Sequence, residues 1–229
     1  MNKNGLILFE TDDVVCIVTG LVNASDNDKT GGMLQIWFLY RHINPVEANQ
    51  IRLDEAICFD CVHLGVSCYV NLGQAPLAIW NCYNNNNYEH WDNDLSVFRR
   101  KLVRFGALGE PVIMPIDMMR DIAGASTGWT GYTHRWSRFP RRKQWLMASV
   151  DSDAEKMRAN ALGWRTFRLT SQAPEPDELM CPSSAEAGKE TTCSRCLLCN
   201  GETHLVTKPN IIIHPHGAKG SRFEDVLPR

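Results

Sequence analysis

LVRFGALGEPVIMPIDMMRDIAGASTGWTGYTH (102–134), followed by QWLMASV (144–150), SDAEKMRANALG (152–163) and WRTFRLT (164–170), sets out a repeating pattern of strands and helices. LVRFGA, WTGYTH, QWLMASV and WRTFRLT are short apolar runs that predict strands. PIDMMRDIAGA (115–125) predicts a helix with Asp117 in its first turn, where a carboxylate suits the helix dipole. SDAEKMRANALG predicts a second helix, with apolar residues at helical spacing and Gly163 as its stop. Strands that alternate with helices imply a parallel sheet. Upstream, GLILFE (5–10), VVCIVTGLV (14–22) and MLQIWFLY (33–40) add three strands, and NPVEANQIRLDEA (44–56) adds a short helix opened by Pro45. YVNLGQAPLAIW (69–80) reads as a strand, a turn and the start of a helix, and NIII (210–213) as a last strand. The expected architecture is one α/β domain over residues 1–229. It is parallel and barrel-like, a complete or partial βα barrel, with a Cys-rich metal-binding insertion at 172–204 near the C-terminus.

The insertion rests on CPSSAEAGKETTCSRCLLC (181–199). Cys193, Cys196 and Cys199 form a C-x2-C-x2-C run, and Cys181 stands upstream of it. Two-residue gaps let a tight loop turn several sulfurs inward, and thiolates suit zinc or an iron–sulfur cluster. Three close Cys plus a remote one is the arrangement of a four-iron cluster, whereas structural zinc more often uses two separated C-x2-C pairs. The expected cofactor is therefore a 4Fe-4S cluster or zinc, against the alternative of buried free thiols. A second group, Cys58, Cys61 and Cys68 with His63 between them, is spaced to complete a tetrahedral zinc site or to hold a cluster with an open iron. The two groups serve either one centre or two. Cys16 and Cys82 sit in apolar surroundings and read as core residues.

In parallel α/β folds the reacting groups lie at the carboxyl ends of the strands. Glu110 follows LVRFGA, Thr133 and His134 end WTGYTH, Asp151 ends QWLMASV, Arg168 and Thr170 end WRTFRLT, and His214 ends NIII. Glu110, Asp151 and His134 are the expected catalytic residues, the carboxylates as an acid/base or nucleophile pair. The competing reading of Asp151 is an N-cap for the helix that starts near Ser152. RWSRFPRRK (135–143) carries Arg135, Arg138, Arg141, Arg142 and Lys143 interleaved with Trp136 and Phe139. Clustered guanidiniums with aromatics suit phosphate contact and base stacking, so these five are the expected nucleic-acid contacts, against a solvated surface loop.

The 229 residues are 44% hydrophobic and 22% charged, an ordinary globular composition. With a net charge of -2, any nucleic-acid contact has to come from a local patch. No apolar run is long enough to span a bilayer, and MNKNGLILFETDD turns acidic where a signal peptide needs to stay apolar, which predicts a cytoplasmic protein. Nine Cys, an odd number and mostly clustered, fit ligation better than a disulfide framework. No Walker loop, G-x-G-x-x-G or H-E-x-x-H occurs, which disfavours a P-loop NTPase, a Rossmann dehydrogenase and a zincin.

The phrases CVHLGVSCYVNLGQAPLAIW, LVRFGALGEPVIMP, TGWTGYTHRW, LMASVDSDAEKMRANALGWRTFRL and CPSSAEAGKETTCSRCLLCNG resemble an uncharacterised family of phage and prophage proteins, over nearly the whole chain. That resemblance implies a phage protein in the host cytoplasm with Cys-ligated metal. At the level of fold the chain is also similar to the guanine transglycosylases, βα barrels with a C-terminal Cys/His zinc site and an Asp nucleophile. Their Cys spacing is C-x-C-x2-C, not the C-x2-C-x2-C found in this chain. A further similarity, to radical enzymes with an N-terminal three-Cys cluster, lacks their C-x3-C-x2-C spacing. The function these readings predict is phage nucleic-acid modification on a base or nucleotide, with transglycosylase-like base exchange foremost. The alternatives are an iron–sulfur radical or redox enzyme and a non-enzymatic, metal-stabilised protein that binds nucleic acid or takes part in host takeover.

Overall fold

The structure is a computed structural model and describes residues 3–25, 27–201, 208–217 and 219–226. Its ten strands are β1 (Gly5–Glu10), β2 (Val14–Thr19), β3 (Leu34–Tyr40), β4 (Glu89–His90), β5 (Leu102–Leu108), β6 (Gly128–Thr133), β7 (Met147–Val150), β8 (Thr166–Leu169), β9 (Glu178–Met180) and β10 (Asn210–Ile213). The helices are α1 (Pro45–Gln50), α2 (Glu55–Cys58), α3 (Ala75–Asn84), α4 (Ile116–Ala125), α5 (Asp153–Ala161) and the single turn α6 (Cys193–Cys196). All ten strands join one sheet in the order β4-β1-β2-β3-β5-β6-β7-β8-β10-β9. β1–β2 and β2–β3 are antiparallel, and every pair from β3 to β9 is parallel.

The parallel α/β reading thus holds for most of the sheet, but the sheet is open and not a closed barrel. Its edges are β4 and β9, of two and three residues. Strands that short offer too few backbone groups to zip the edges together, and they also limit unwanted edge pairing. Neither edge strand has the apolar run that marks a strand in sequence. The strand expected within residues 69–71 is absent, although the helix after it forms as α3.

From β3 to β8, then β10, the parallel neighbours follow chain order. With crossovers of one hand, that order puts connecting helices on one face of the sheet. α5 packs on β7 and β8 there. Part of the opposite face takes the Cys-rich segment: Leu198 and Cys199 pack with Tyr132, Phe167 and Leu169 on a small cluster of Met147, Cys181, Ile211 and Ile213. β6 is where the sheet accommodates it. Its first residues pair with β5, from Leu102 opposite Gly128 to Phe105 opposite Gly131, and its last with β7, at Tyr132 and Thr133. Between them the Gly131 N–H donates to Cys199 O at 2.8 Å. A Cβ on Gly131 would lie 2.7 Å from Leu146 Cδ2 and 3.0 Å from Phe105 Cβ, so only glycine fits.

Two further ties place the functional loops. The Glu110 N–H donates to Ile57 O at 2.8 Å, binding the end of α2 to the carboxyl end of β5. Gly109, with φ of 80°, makes that turn: a Cβ there would meet Phe38 Cβ at 2.7 Å. The 58–68 loop is thereby held over the rim where β5, β6 and β7 end.

Candidate active site

The carboxyl rim brings together residues from four places in the chain. Glu110 follows β5, Thr133 and His134 end β6, Asp151 follows β7, and His63 comes from the loop after α2. Glu110 is 5% exposed and accepts from three donors at the end of β6. These are the Thr133 hydroxyl, the His134 N–H at 3.0 Å and the His134 ring, whose Nδ1 lies 3.1 Å from Oε1. Burial works against a charged His134, but the Glu110 carboxylate outweighs it and holds the imidazole pKa above its ordinary value.

On the other side of the crevice, His63 is 6% exposed and lies between Ser67 and Asp151. Its Nδ1 is 2.7 Å from Ser67 Oγ and its Nε2 is 3.0 Å from Asp151 Oδ1. The second contact pairs the imidazole with the carboxylate away from solvent. The rings of His63 and His134 have centroids 5.7 Å apart, and His63 stacks on Phe223 at 5.9 Å. Burial opposes ionisation of Asp151, but the adjacent histidines hold its carboxyl below the usual range. Among the described residues, His63, His134 and Asp151 form the one group whose ligand atoms all lie within 4.8 Å of one another.

A group so placed could hold a metal ion. Metal-binding histidines ligate through one ring nitrogen while the other is fixed by a hydrogen bond, often to a carboxylate. Glu110 fixes Nδ1 of His134 and Ser67 fixes Nδ1 of His63, which leaves both Nε2 atoms for a ligand role. Two imidazoles and a carboxylate form a catalytic donor set for zinc or ferrous iron that leaves coordination positions open.

Asp151 does not cap α5. That role belongs to Ser152, whose Oγ accepts from Glu155 N at 3.2 Å. A cleft of about 230 Å³ opens beside the group, lined by His134, Asp151, Cys61, Arg135, Arg138 and Glu155 among others. Of the five basic residues in 135–143, Arg138 and Arg141 are exposed. Arg135 is bound to Asp60 and lies over the Phe59 ring at 5.0 Å. Lys143 donates to Leu162 O at 3.1 Å. Arg142 is a correction: it is 6% exposed and donates to Val112 O and Met114 O, so it braces the core and does not face a phosphate.

Arg168 leaves the crevice too. It lies 1% exposed in a buried network with Glu178, Asp153 and Lys156. His214 contacts Gln172 O and His216 stacks on Tyr69, and neither lines the cleft. Of the first Cys group, Cys58 and Cys68 line one cavity and Cys61 borders the cleft, the three thiols lie close enough that burial and their neighbours together raise the pKa of Cys58 and Cys61, and the His63 ring contacts Asp151. Burial pushes the Cys61 thiol up to about 12. Cys181, Cys193, Cys196 and Cys199, by contrast, line one small cavity. Sequence reasoning had Glu110, His134 and Asp151 in one crevice and took His63 only with its neighbouring cysteines, whereas its ring also reaches Asp151. Its neighbours in sequence are cysteines, and only the fold shows that its ring reaches the rim.

Comparison of the chain with protein-family models, with curated proteins and with solved structures gives no match.

Proposed function

We propose that the chain is a metal-dependent enzyme that modifies a base or nucleotide, with His63, His134 and Asp151 as ligands of one divalent transition-metal ion. The observation that carries this reading is the convergence of His63, His134 and Asp151, whose ligand atoms all lie within 4.8 Å of one another. Glu110 acts as a positioning residue, orienting His134 through its ring nitrogen and its backbone N–H. A bound ion would supply Lewis-acid polarisation of a phosphoryl or carbonyl oxygen and make water a better nucleophile near neutral pH.

The substrate class follows from the cleft wall. Arg138 is exposed beside the metal group, and Arg141 stands in the turn that follows. Guanidiniums next to an open metal site suit a phosphate-bearing substrate. Base exchange through an attacking Asp151 is less well supported, because that carboxylate is already engaged between two histidines. The test is to incubate the protein with nucleotides and single- and double-stranded DNA and RNA under added Zn²⁺ or Fe²⁺, and to follow products by mass spectrometry. Metal-dependent turnover that is lost in His63→Ala supports the reading. Turnover that is equal with and without the metal, or unchanged in His63→Ala, sinks it.

A further inference from the structure

The four-cysteine segment lies outside the rim chemistry and has a geometry of its own. Cys181 directly follows β9, and its N–H extends the ladder to Ile212 O at 2.8 Å. Cys193 opens α6, with its N–H on Lys29 O at 2.7 Å. Leu197 ends that turn in the left-handed region, φ 52°, and Cys199 gives its carbonyl to Gly131 at 2.8 Å. Three backbone hydrogen bonds and the turn at Leu197 therefore hold the four cysteines around one cavity of about 20 Å³, walled by Thr130, Leu197, Leu198 and Ile211. All four are free thiols.

Two cations stand beside them: Arg165 and Lys208 both hold Asn200, the residue that follows Cys199. Arg165 is fixed by Asn200 O at 2.9 Å and Pro209 O at 2.6 Å, yet its Nε is buried without a partner. Cations so placed suit a thiolate centre with net negative charge.

Two observations separate zinc from iron. Tetrahedral zinc with bonds near 2.3 Å brings its sulfurs to about 3.8 Å from one another. Among the described residues only the rim group has its ligand atoms within 4.8 Å, so the four sulfurs are more widely spread. A four-iron cluster places each thiolate on a different iron and needs that wider spread. The sequence pattern is compatible: a C-x2-C-x2-C run with one remote Cys, here Cys181, supplies the four thiolates of a four-iron cluster.

We infer that Cys181, Cys193, Cys196 and Cys199 bind one 4Fe-4S cluster, which fastens the Cys-rich layer to the sheet at the break in β6. This inference stands on the thiol cavity and its cations and does not depend on the rim.

The test uses the full chain purified anaerobically. Expected are about four iron and four acid-labile sulfide per chain, and broad visible absorption at about 400 nm. Cys193→Ser and Cys199→Ser should each lose most of that absorption, while the triple variant Cys58→Ser/Cys61→Ser/Cys68→Ser and the rim variant His63→Ala should keep it. Colourless protein with zinc in the wild type overturns the assignment. So does a wild type that binds no iron and sulfide even after reconstitution with ferrous iron and sulfide, and so do acid-labile sulfide and visible absorption retained in Cys193→Ser. The wild-type iron and sulfide content decides the matter even if the Cys variants fail to fold.

Discussion

His63 Nε2 and Asp151 Oδ1 lie 3.0 Å apart, and with His134 they form a group whose ligand atoms all lie within 4.8 Å of one another. One residue comes from a loop tied down at Ile57 and the other from the end of β7, so the relationship is a product of the whole rim.

Glu110→Gln tests the positioning role. Glutamine keeps the size of the side chain but cannot accept from all three of its present donors, because one of its terminal atoms is itself an N–H₂. Metal affinity should fall by roughly 10–100-fold, the usual scale for loss of a group that orients a ligand. Competition titration with a coloured chelator reads this directly. With saturating metal, kcat should recover in part while KM stays near the wild-type value. Unaltered affinity would show that Glu110 has no hold on the metal through His134.

Arg138→Ala with Arg141→Ala should weaken binding to nucleic acid and lower its salt slope by about 0.9 for each phosphate that is no longer neutralised. Arg142→Ala should do something else. It removes a buried donor to Val112 O and Met114 O, so it should lower the melting temperature and leave the salt slope alone. Fluorescence anisotropy at several salt concentrations, beside thermal melts, separates the two. A salt slope that is equal for wild type and double variant would reject the patch.

The network around Arg168 sets the acid limit of the fold. Burial opposes ionisation of Glu178, but the Arg168 guanidinium outweighs it and holds the carboxyl below its usual range. Asp177 is held low in the same way by Lys156, against its own burial. For carboxylates with depressed folded values, stability is fully present above the unfolded pKa, about 3.9–4.3, and is lost as pH falls through the folded values. The melting temperature should therefore drop below about pH 4. Glu178→Gln leaves Arg168 short of its bidentate partner and should cost about 3–5 kcal/mol near neutral pH, with a shallower acid slope. A variant as stable as wild type would show that Asp153 and Glu175 alone satisfy Arg168.

The repeating strands and helices from 102 to 170 were legible because each buries an apolar face, and burial writes a period into the sequence. The open edges were not, since β4 and β9 are too short to leave a period. Glu110, His134 and Asp151 were legible as a group because parallel strands present their carboxyl ends on one rim. The place of His63 at the rim was not legible, as local spacing groups residues by chain distance while Ser67 and Asp151 fix its ring by fold. Arg142 looked like its basic neighbours, and only the carbonyls of Val112 and Met114 give its inward turn a reason.

The most direct test of the rim site is elemental analysis of wild type, His63→Ala and Asp151→Asn, purified side by side under anaerobic conditions. Asn keeps the shape of Asp151 but not its charge, so the fold should survive in that variant. The account predicts about one transition-metal ion per chain more in the wild type than in either variant. Visible absorption from the cysteine centre should be equal in all three. Equal metal content across the three proteins would contradict the site at His63, His134 and Asp151.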